Sequence, residues 1–205
     1  MMGGPANTGS DYLGWPAIVR IGLVQAAIGA VVVFTTSTLN RVMVVELGLA
    51  ASVPGALVAI HYALQALRPR WGHGSDRTRR RTPWIVGGMI VLGAGGVLAG
   101  WATALAQQAQ AAGLALAVFA FLLIGPGVGA AGTALLTLLA ERVHPDRRGP
   151  AAAIVWITMI AGFVVTTALV SIAISPFSME RLVEAACWVS AISVAVALLA
   201  LTGLE

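Results

Sequence analysis

The sequence has 205 residues, of which 59% are hydrophobic and only 10% are charged, and its mean hydropathy is +0.91. A soluble domain carries roughly 25% charged residues because its surface must be hydrated. The composition therefore excludes a soluble globular domain and predicts an integral membrane protein. The net charge of +4 comes from arginines beside apolar segments, without the aromatic-basic pattern of a nucleic-acid module. We expect the lipid bilayer, and no nucleic acid, as the partner of these arginines.

Six apolar segments qualify as membrane spans, which need about 20 mainly apolar residues. We expect an all-α integral membrane protein, with residues 1–16 as a cytoplasmic N-terminal segment and residues 17–205 as a six-helix transmembrane bundle. No basic region precedes the first segment and no good cleavage site follows, so we interpret it as a retained span. The predicted spans cover about residues 17–39, 50–67, 84–106, 112–139, 151–174 and 182–201.

Three polar residues lie between the first and second predicted spans: Asn40, Arg41 and Glu46. Arg41 and Glu46 bracket a short outer loop, and we expect them to pair at the membrane boundary, where the lower dielectric strengthens an ion pair. Asn40 is suited to capping a helix end or to a hydrogen bond across helices. A structural clasp between the two spans is the simplest interpretation, and direct contact of these residues with a ligand or a partner polypeptide is the alternative.

A charged block at residues 71–84 separates the second and third predicted spans. It holds four of the chain's twelve basic residues, all of them arginines. Such a block cannot enter hydrocarbon, so we expect a loop at the membrane surface.

If that loop faces the cytoplasm, ten arginines lie on the cytoplasmic side and two on the other, which predicts that both termini are cytoplasmic. The ten are Arg20, Arg68, Arg70, Arg77, Arg79, Arg80, Arg81, Arg142, Arg147 and Arg148, and the two are Arg41 and Arg181.

Asp76 is an acidic residue among these arginines, and the membrane topology does not require it. Gly72 and Gly74 precede it, which suggests a tight turn whose Asp76 accepts hydrogen bonds from a helix N-terminus and from Arg77 or Arg81. Such a charge-assisted latch can hold two helices in one of two arrangements. The alternative is a solvated loop that only sets topology.

The fourth predicted span contains Gly125, Pro126 and Gly129. Pro126 removes a backbone donor and should kink the helix. The two glycines, four residues apart, permit close backbone approach. The segment is therefore a hinge, a flat wall for a large planar ring, or a close helix-packing site.

The block also resembles the loop between helices two and three of the major facilitator superfamily. That signature reads glycine, three residues, Asp-Arg, any residue, glycine and two basic residues, and it is matched by Gly72, Asp76, Arg77, Arg80 and Arg81. The chain departs from it where Arg79 replaces the second glycine.

Residues 20–25 (RIGLVQ) and 38–48 (TLNRVMVVELG) resemble the PucC/LhaA family, a bacteriochlorophyll-delivery branch of that superfamily. The resemblance implies half of a major-facilitator-like fold, since family members have about twelve spans. It also implies a non-enzymatic factor of the photosynthetic intracytoplasmic inner membrane that delivers bacteriochlorophyll during light-harvesting complex assembly, or stays bound to the antenna. Its expected partners are antenna polypeptides or the reaction centre–antenna complex, and a second copy or second half. The alternatives are a half-size secondary transporter working as a dimer and a purely structural subunit of that complex.

His61 is the only histidine inside a predicted span, and Gln65 follows one helical turn later. Neutral imidazole is a good axial ligand for a magnesium chlorin, so both residues are candidates for pigment binding. The simpler interpretation is an interhelical hydrogen bond. The three histidines are too dispersed for a metal cluster, and no catalytic residues are apparent.

Overall fold

The computed structural model describes residues 12–78 and 80–204, and these contain helices and connecting segments but no strand. The predicted all-α class is therefore confirmed. Most of the predicted N-terminal segment and Arg79 lie outside the described residues. The helices are α1 (Trp15–Val33), α2 (Leu39–Val45), α3 (Ser52–Gln65), α4 (Arg68–Thr78), α5 (Thr82–Gln108), α6 (Gln110–Arg142), α7 (Arg148–Ala173) and α8 (Met179–Leu201).

The first span is longer than predicted, because α1 and α2 form one continuous helical segment. A π-helical turn, Phe34–Thr38, joins them, and the whole segment runs over 31 residues, Trp15–Val45. The Thr36 hydroxyl donates to the Val32 carbonyl at 2.7 Å within this wider turn. Helix therefore continues past residue 39, where we expected it to end.

Within the described residues, five helical segments are long and apolar enough to cross a membrane: α1–α2, α5, α6, the segment Pro145–Ala173 that contains α7, and α8. The second predicted span, residues 50–67, corresponds to α3, which has only 14 residues. At 1.5 Å per residue it is about 21 Å long, shorter than the roughly 30 Å hydrocarbon core. A turn at Ala66 and Leu67 then leads into α4. The single span that we expected is therefore a broken pair of helices.

Both members of this pair pack along α6. A Cβ added to Gly125 would lie 2.7 Å from Leu64 Cβ on α3, and one added to Gly129 would lie 3.0 Å from Trp71 Nε1 on α4. These two glycines therefore allow the close approach that their spacing predicts.

The charged block at residues 71–84 is not simply a loop, as we predicted, because α4 extends through it to Thr78. Two glycines should weaken a helix here, each by roughly 1 kcal/mol relative to alanine. The helix forms nevertheless, and Trp84 of α5 packs closely on Gly74, where an added Cβ would lie 2.6 Å from its ring. The tight turn predicted at Gly72 and Gly74 is accordingly a turn of helix.

Helices α5 and α6 pack closely along their length through glycine. A Cβ on Gly88 would lie 2.5 Å from the Ala131 backbone nitrogen, and one on Gly127 would lie 2.7 Å from that of Leu92. Backbone atoms cannot move aside as a flexible side chain can, so larger residues at these two glycines would force the helices apart.

Contacts between helix termini bring the start of α1 and the ends of α6 and α8 to one end of the bundle. The Leu13 amide donates to the Arg142 carbonyl at 2.8 Å, and Arg20 donates to the Thr202 carbonyl. We call this the arginine-rich end, since α4 and the starts of α5 and α7 also lie there. Helix direction places Arg41 and Arg181 at the opposite end. The membrane side that each end faces stays a prediction.

Candidate functional site

A buried arginine joins three helices at the arginine-rich end. Arg81 precedes α5, and its side chain is 7% exposed. Its Nη1 lies 2.6 Å from Asp76 Oδ1 and donates to Ser75 Oγ at 2.6 Å. Its Nη2 and Nε donate to the two carboxylate oxygens of Glu141 at 2.6 and 3.2 Å. Ser75 Oγ in turn donates to the Gly72 carbonyl at 2.9 Å. We call Arg81, Ser75, Asp76 and Glu141 the Arg81 network.

The two carboxylates of this network stabilise the protonated, positively charged form of the buried Arg81 guanidinium. The hydrogen bonds that Arg81 donates to Glu141 raise the pKa of Arg81 more than burial lowers it, and Asp76 raises it further. The planar fork of arginine explains the geometry, since one edge engages Glu141 while the remaining nitrogen reaches α4. Asp76 is 61% exposed and Glu141 50% exposed, so water screens both pairs in part.

The structure brings together part of the predicted latch. Asp76 pairs with Arg81, one of its two predicted partners, while Arg77 and Arg80 are exposed. Sequence reasoning missed Glu141 and Ser75. Glu141 is an acidic residue at the end of a long apolar span, next to Arg142. An acidic residue in that position could have indicated that it pairs with a buried arginine.

The predicted clasp of Asn40, Arg41 and Glu46 has a different geometry. All three lie on or directly after α2, and within the described residues no ion pair joins Arg41 to Glu46. Both side chains are exposed. Because the helix continues to Val45, residues five apart project about 140° from each other. A loop between them, which would have allowed them to meet, does not form.

His61 and Gln65 lie on α3 and bond to each other, within one helix rather than between two. His61 is 0% exposed, and its Nε2 is 2.8 Å from Gln65 Nε2. Arg68 donates to Gln65 Oε1, so the amide nitrogen faces the imidazole and His61 Nε2 acts as acceptor. The proton then lies on His61 Nδ1, which has no partner among the described residues. Gln65 therefore occupies the Nε2 side of the imidazole.

An apolar groove opens between α4, α5 and α6 next to the Arg81 network. Its volume is about 370 Å³. We call it the tryptophan groove. Its lining residues are Trp71, Pro83, Trp84, Gly87, Gly88, Val91, Pro126, Gly127 and Ala130.

Glycines outside the groove position its two indoles. The Trp84 ring lies over Gly74, and Trp71 lies against Gly129. Pro126 contributes to the groove wall, and α6 remains helical through it. Of the predicted kink segment, Gly125 instead faces α3. In this segment, Gly125 therefore contacts α3, Gly129 contacts α4 and Pro126 lines the groove.

The described residues contain no group of three or more His, Cys, Asp or Glu side chains that could hold a metal ion. At this end of the bundle, the described residues supply arginine–carboxylate pairs and aromatic surfaces.

Comparison with known proteins identifies the family. The sequence profile of the PUCC protein family matches residues 38–205. The chain belongs to this family. It is 52% identical over 193 residues to the "Bacteriochlorophyll synthase 44.5 kDa chain" of Rhodobacter capsulatus, covering 94% of this chain and 45% of that protein. It is 36% identical over 152 residues to "Protein PucC" of Cereibacter sphaeroides, covering 67% of this chain and 33% of that protein.

A further relative is the "Uncharacterized protein in puhA-bchM intergenic region" of Rhodobacter capsulatus, 29% identical over 87% of this chain and 40% of that protein. The chain thus spans less than half the length of these relatives. No solved structure matches the chain. The predicted family is therefore confirmed, while the predicted likeness to half of a facilitator fold stays a prediction.

Proposed function

We propose that this chain is a non-catalytic membrane factor that handles bacteriochlorophyll during light-harvesting complex assembly. Membership of the PUCC family carries the proposal, together with 52% identity to a relative whose name refers to bacteriochlorophyll. The word synthase belongs to that relative's name, and we assign no reaction to this chain. Its cargo is then a large, flat, apolar ring with a hydrocarbon tail, which a lipid-embedded helix bundle is suited to receive.

The tryptophan groove is the part of the structure whose chemistry fits such a cargo. Its walls are aromatic, aliphatic and glycine, and it lies beside five helical segments suited to a bilayer. A pigment dissolved in the membrane could therefore reach it without crossing water.

The Arg81 network is the proposed brace of this groove. Trp71 lies on α4, the same helix as Ser75 and Asp76, while α5 and α6 supply the other walls. By joining α4 to Arg81 and Glu141, the network holds Trp71 in position against α6. Breaking it should loosen one wall of the groove while leaving the glycine contacts between α5 and α6 intact.

Orientation and partners follow from the same proposal. The arginine-rich end faces the cytoplasm, both termini lie there, and the membrane is the photosynthetic intracytoplasmic inner membrane. Antenna polypeptides or the reaction centre–antenna complex are the clients. The chain covers 45% or less of the relatives described above, and a second copy or a second half is among its proposed partners.

Two alternative functions remain as outcomes of experiment. A dimeric half-size transporter needs a coupling group inside the bundle, and His61 is engaged with Gln65 and fully buried. A purely structural subunit of the photosynthetic complex would use exposed apolar surface, such as Ile157, Val164 and Ile172 of α7, at 66%, 65% and 73% exposure.

The experiment is a deletion of the gene in its phototrophic host, complemented with wild type, Arg81→Met or Arg41→Met. The near-infrared antenna absorbance of membranes is measured against total protein. We expect loss of antenna absorbance on deletion, recovery with wild type and Arg41→Met, and poor recovery with Arg81→Met. Arg41 is the matched control because it is exposed and lies at the opposite end. Unchanged antenna absorbance after deletion would refute the assembly function.

A further inference from the structure

The tryptophan groove has features of a site for a flat ring rather than for a flexible chain. Trp71 and Trp84 supply two indoles, on α4 and α5 respectively. Gly87 is exposed and carries no side chain, so a rigid planar surface can approach the α5 backbone closely there. Offset stacking on indole adds to the gain from apolar burial.

A second groove, between α5 and α8, provides the contrast. It is larger, about 510 Å³, and its lining contains no aromatic residue. Small and aliphatic side chains line it, among them Gly93, Ala94, Ala191 and Val194. Such a surface suits an acyl chain or another helix. The paired indoles are therefore a specific property of the tryptophan groove and not a general feature of this bundle.

The tryptophan groove also offers no side chain that ligates a metal. Its lining residues are tryptophan, proline, glycine, valine and alanine, without imidazole, carboxylate or thiol. His61 does not line it, and its Nε2 accepts from Gln65. Magnesium in a chlorin prefers a nitrogen or oxygen ligand, which these side chains cannot supply.

We infer that the tryptophan groove binds the face of a tetrapyrrole ring by stacking on Trp71 and Trp84, and that it does so without ligating the central metal. This inference rests on the proposed function for the identity of the cargo. Part of the ring enters the groove, and the remainder and the tail stay in the bilayer. The metal remains open to a ligand from the receiving polypeptide, so the pigment can be handed over without first breaking a metal–protein bond.

The test is a titration of the purified chain in dodecylmaltoside micelles with bacteriochlorophyll a and with bacteriopheophytin a, its metal-free counterpart. Binding is followed by circular dichroism induced in the pigment bands. Since the site does not use the metal, the two dissociation constants should agree within about threefold. If bacteriochlorophyll binds about tenfold or more tightly than bacteriopheophytin, the protein ligates magnesium and the inference is overturned. One available ligand would be the Leu122 carbonyl, which lacks its usual helical donor because residue 126 is proline.

Gly87→Leu tests the location of the site. A Cβ on Gly87 meets nothing within 4 Å, so the new side chain fills the groove without forcing helices apart. We expect pigment binding to weaken by about tenfold or more. Gly55→Leu is the matched control, because its Cβ also meets nothing within 4 Å and it lies on α3 outside the groove. Neither variant should unfold below the wild-type temperature, which separates loss of the site from loss of the fold.

If Gly87→Leu binds pigment as tightly as wild type, the pigment binds elsewhere and the inference is wrong. The assembly function would be unaffected by that result, because antenna absorbance tests it separately. Binding of neither pigment by wild type would end the inference in the same way. A tenfold excess of dioleoylphosphatidylglycerol should not displace the ring. Displacement by that lipid would identify an acyl-chain groove instead and would likewise contradict ring binding.

Discussion

Arg81, at the start of α5, holds Glu141, at the end of α6, through two hydrogen bonds of 2.6 and 3.2 Å. The two residues are 60 positions apart in sequence. Their pairing fixes the ends of two antiparallel helices, and the same guanidinium extends to Asp76 on α4. In the arrangement that we propose, this buried cation braces the wall of the tryptophan groove that carries Trp71.

We predict that Glu141→Gln destabilises the chain more than Asp76→Asn. Glu141 accepts two hydrogen bonds from a buried arginine, and its loss should cost about 1–3 kcal/mol. Asp76 is 61% exposed and its pair should contribute less than about 1 kcal/mol. Unfolding in detergent micelles measures both, with exposed Glu46→Gln as the control. If Asp76→Asn also leaves abundance and antenna assembly unchanged, the latch role of Asp76 is wrong.

Arg81→Lys should fail to replace arginine. Lysine keeps the charge but lacks the fork that contacts Glu141 and α4 together. The raised pKa of Arg81 keeps its contribution present at every pH below the strongly alkaline range. A lysine, with an ordinary pKa near 10.4 that pairing raises, would lose its contribution as pH rises through about 10 to 11. Arg81→Lys should unfold at a lower temperature than wild type already at neutral pH, and the difference should widen across that alkaline range. Equal unfolding temperatures at neutral pH would show that the fork is dispensable.

Gly74→Ala should disturb the groove, while Gly72→Ala should not. A Cβ on Gly74 would lie 2.6 Å from Trp84 Cη2, so the indole must shift. A Cβ on Gly72 meets Thr133 Cγ2 at an ordinary 3.6 Å, and the helix gains up to about 1 kcal/mol in propensity. Near-ultraviolet circular dichroism and pigment titration report the change. Identical spectra and affinities for the two variants would contradict the packing described for Trp84.

His61→Phe should lower stability without changing pigment content. The substitution removes the bond to Gln65 inside a packed interface and should cost about 1–2 kcal/mol. Because His61 is fully buried and absent from the groove lining, the pigment affinity should remain that of wild type. If the amount of pigment bound per folded protein falls in His61→Phe, His61 is again a candidate ligand.

The positions of the long apolar helices could be predicted from composition, because hydrocarbon excludes charge over a length set by the bilayer. The same constraint explains why the ends of α5, α6, α7 and α8 lie near the predicted span boundaries. The local sequence pattern predicted the wrong secondary structure where contacts between helices decide it. Helix α4 continues through Gly72 and Gly74, and at Gly74 the Trp84 side chain of α5 occupies the space that the glycine leaves.

The candidate site was predictable only in part for a similar reason. Asp76 and Arg81 are close in sequence, so a local latch could be proposed from the residues alone. Glu141 lies a whole pair of helices away, and no local signal reports which arginine it meets. The tryptophan groove depends on three helices together, so its two indoles appear in the sequence only as residues at either end of a charged block.

The most direct test of pigment handling is the absorption spectrum of the chain purified by affinity from phototrophic membranes in mild detergent. We predict a bacteriochlorophyll band that co-elutes with wild type and with Gly55→Leu and is strongly reduced in Gly87→Leu at equal protein recovery. A colourless, monodisperse dimer from wild-type membranes would contradict it.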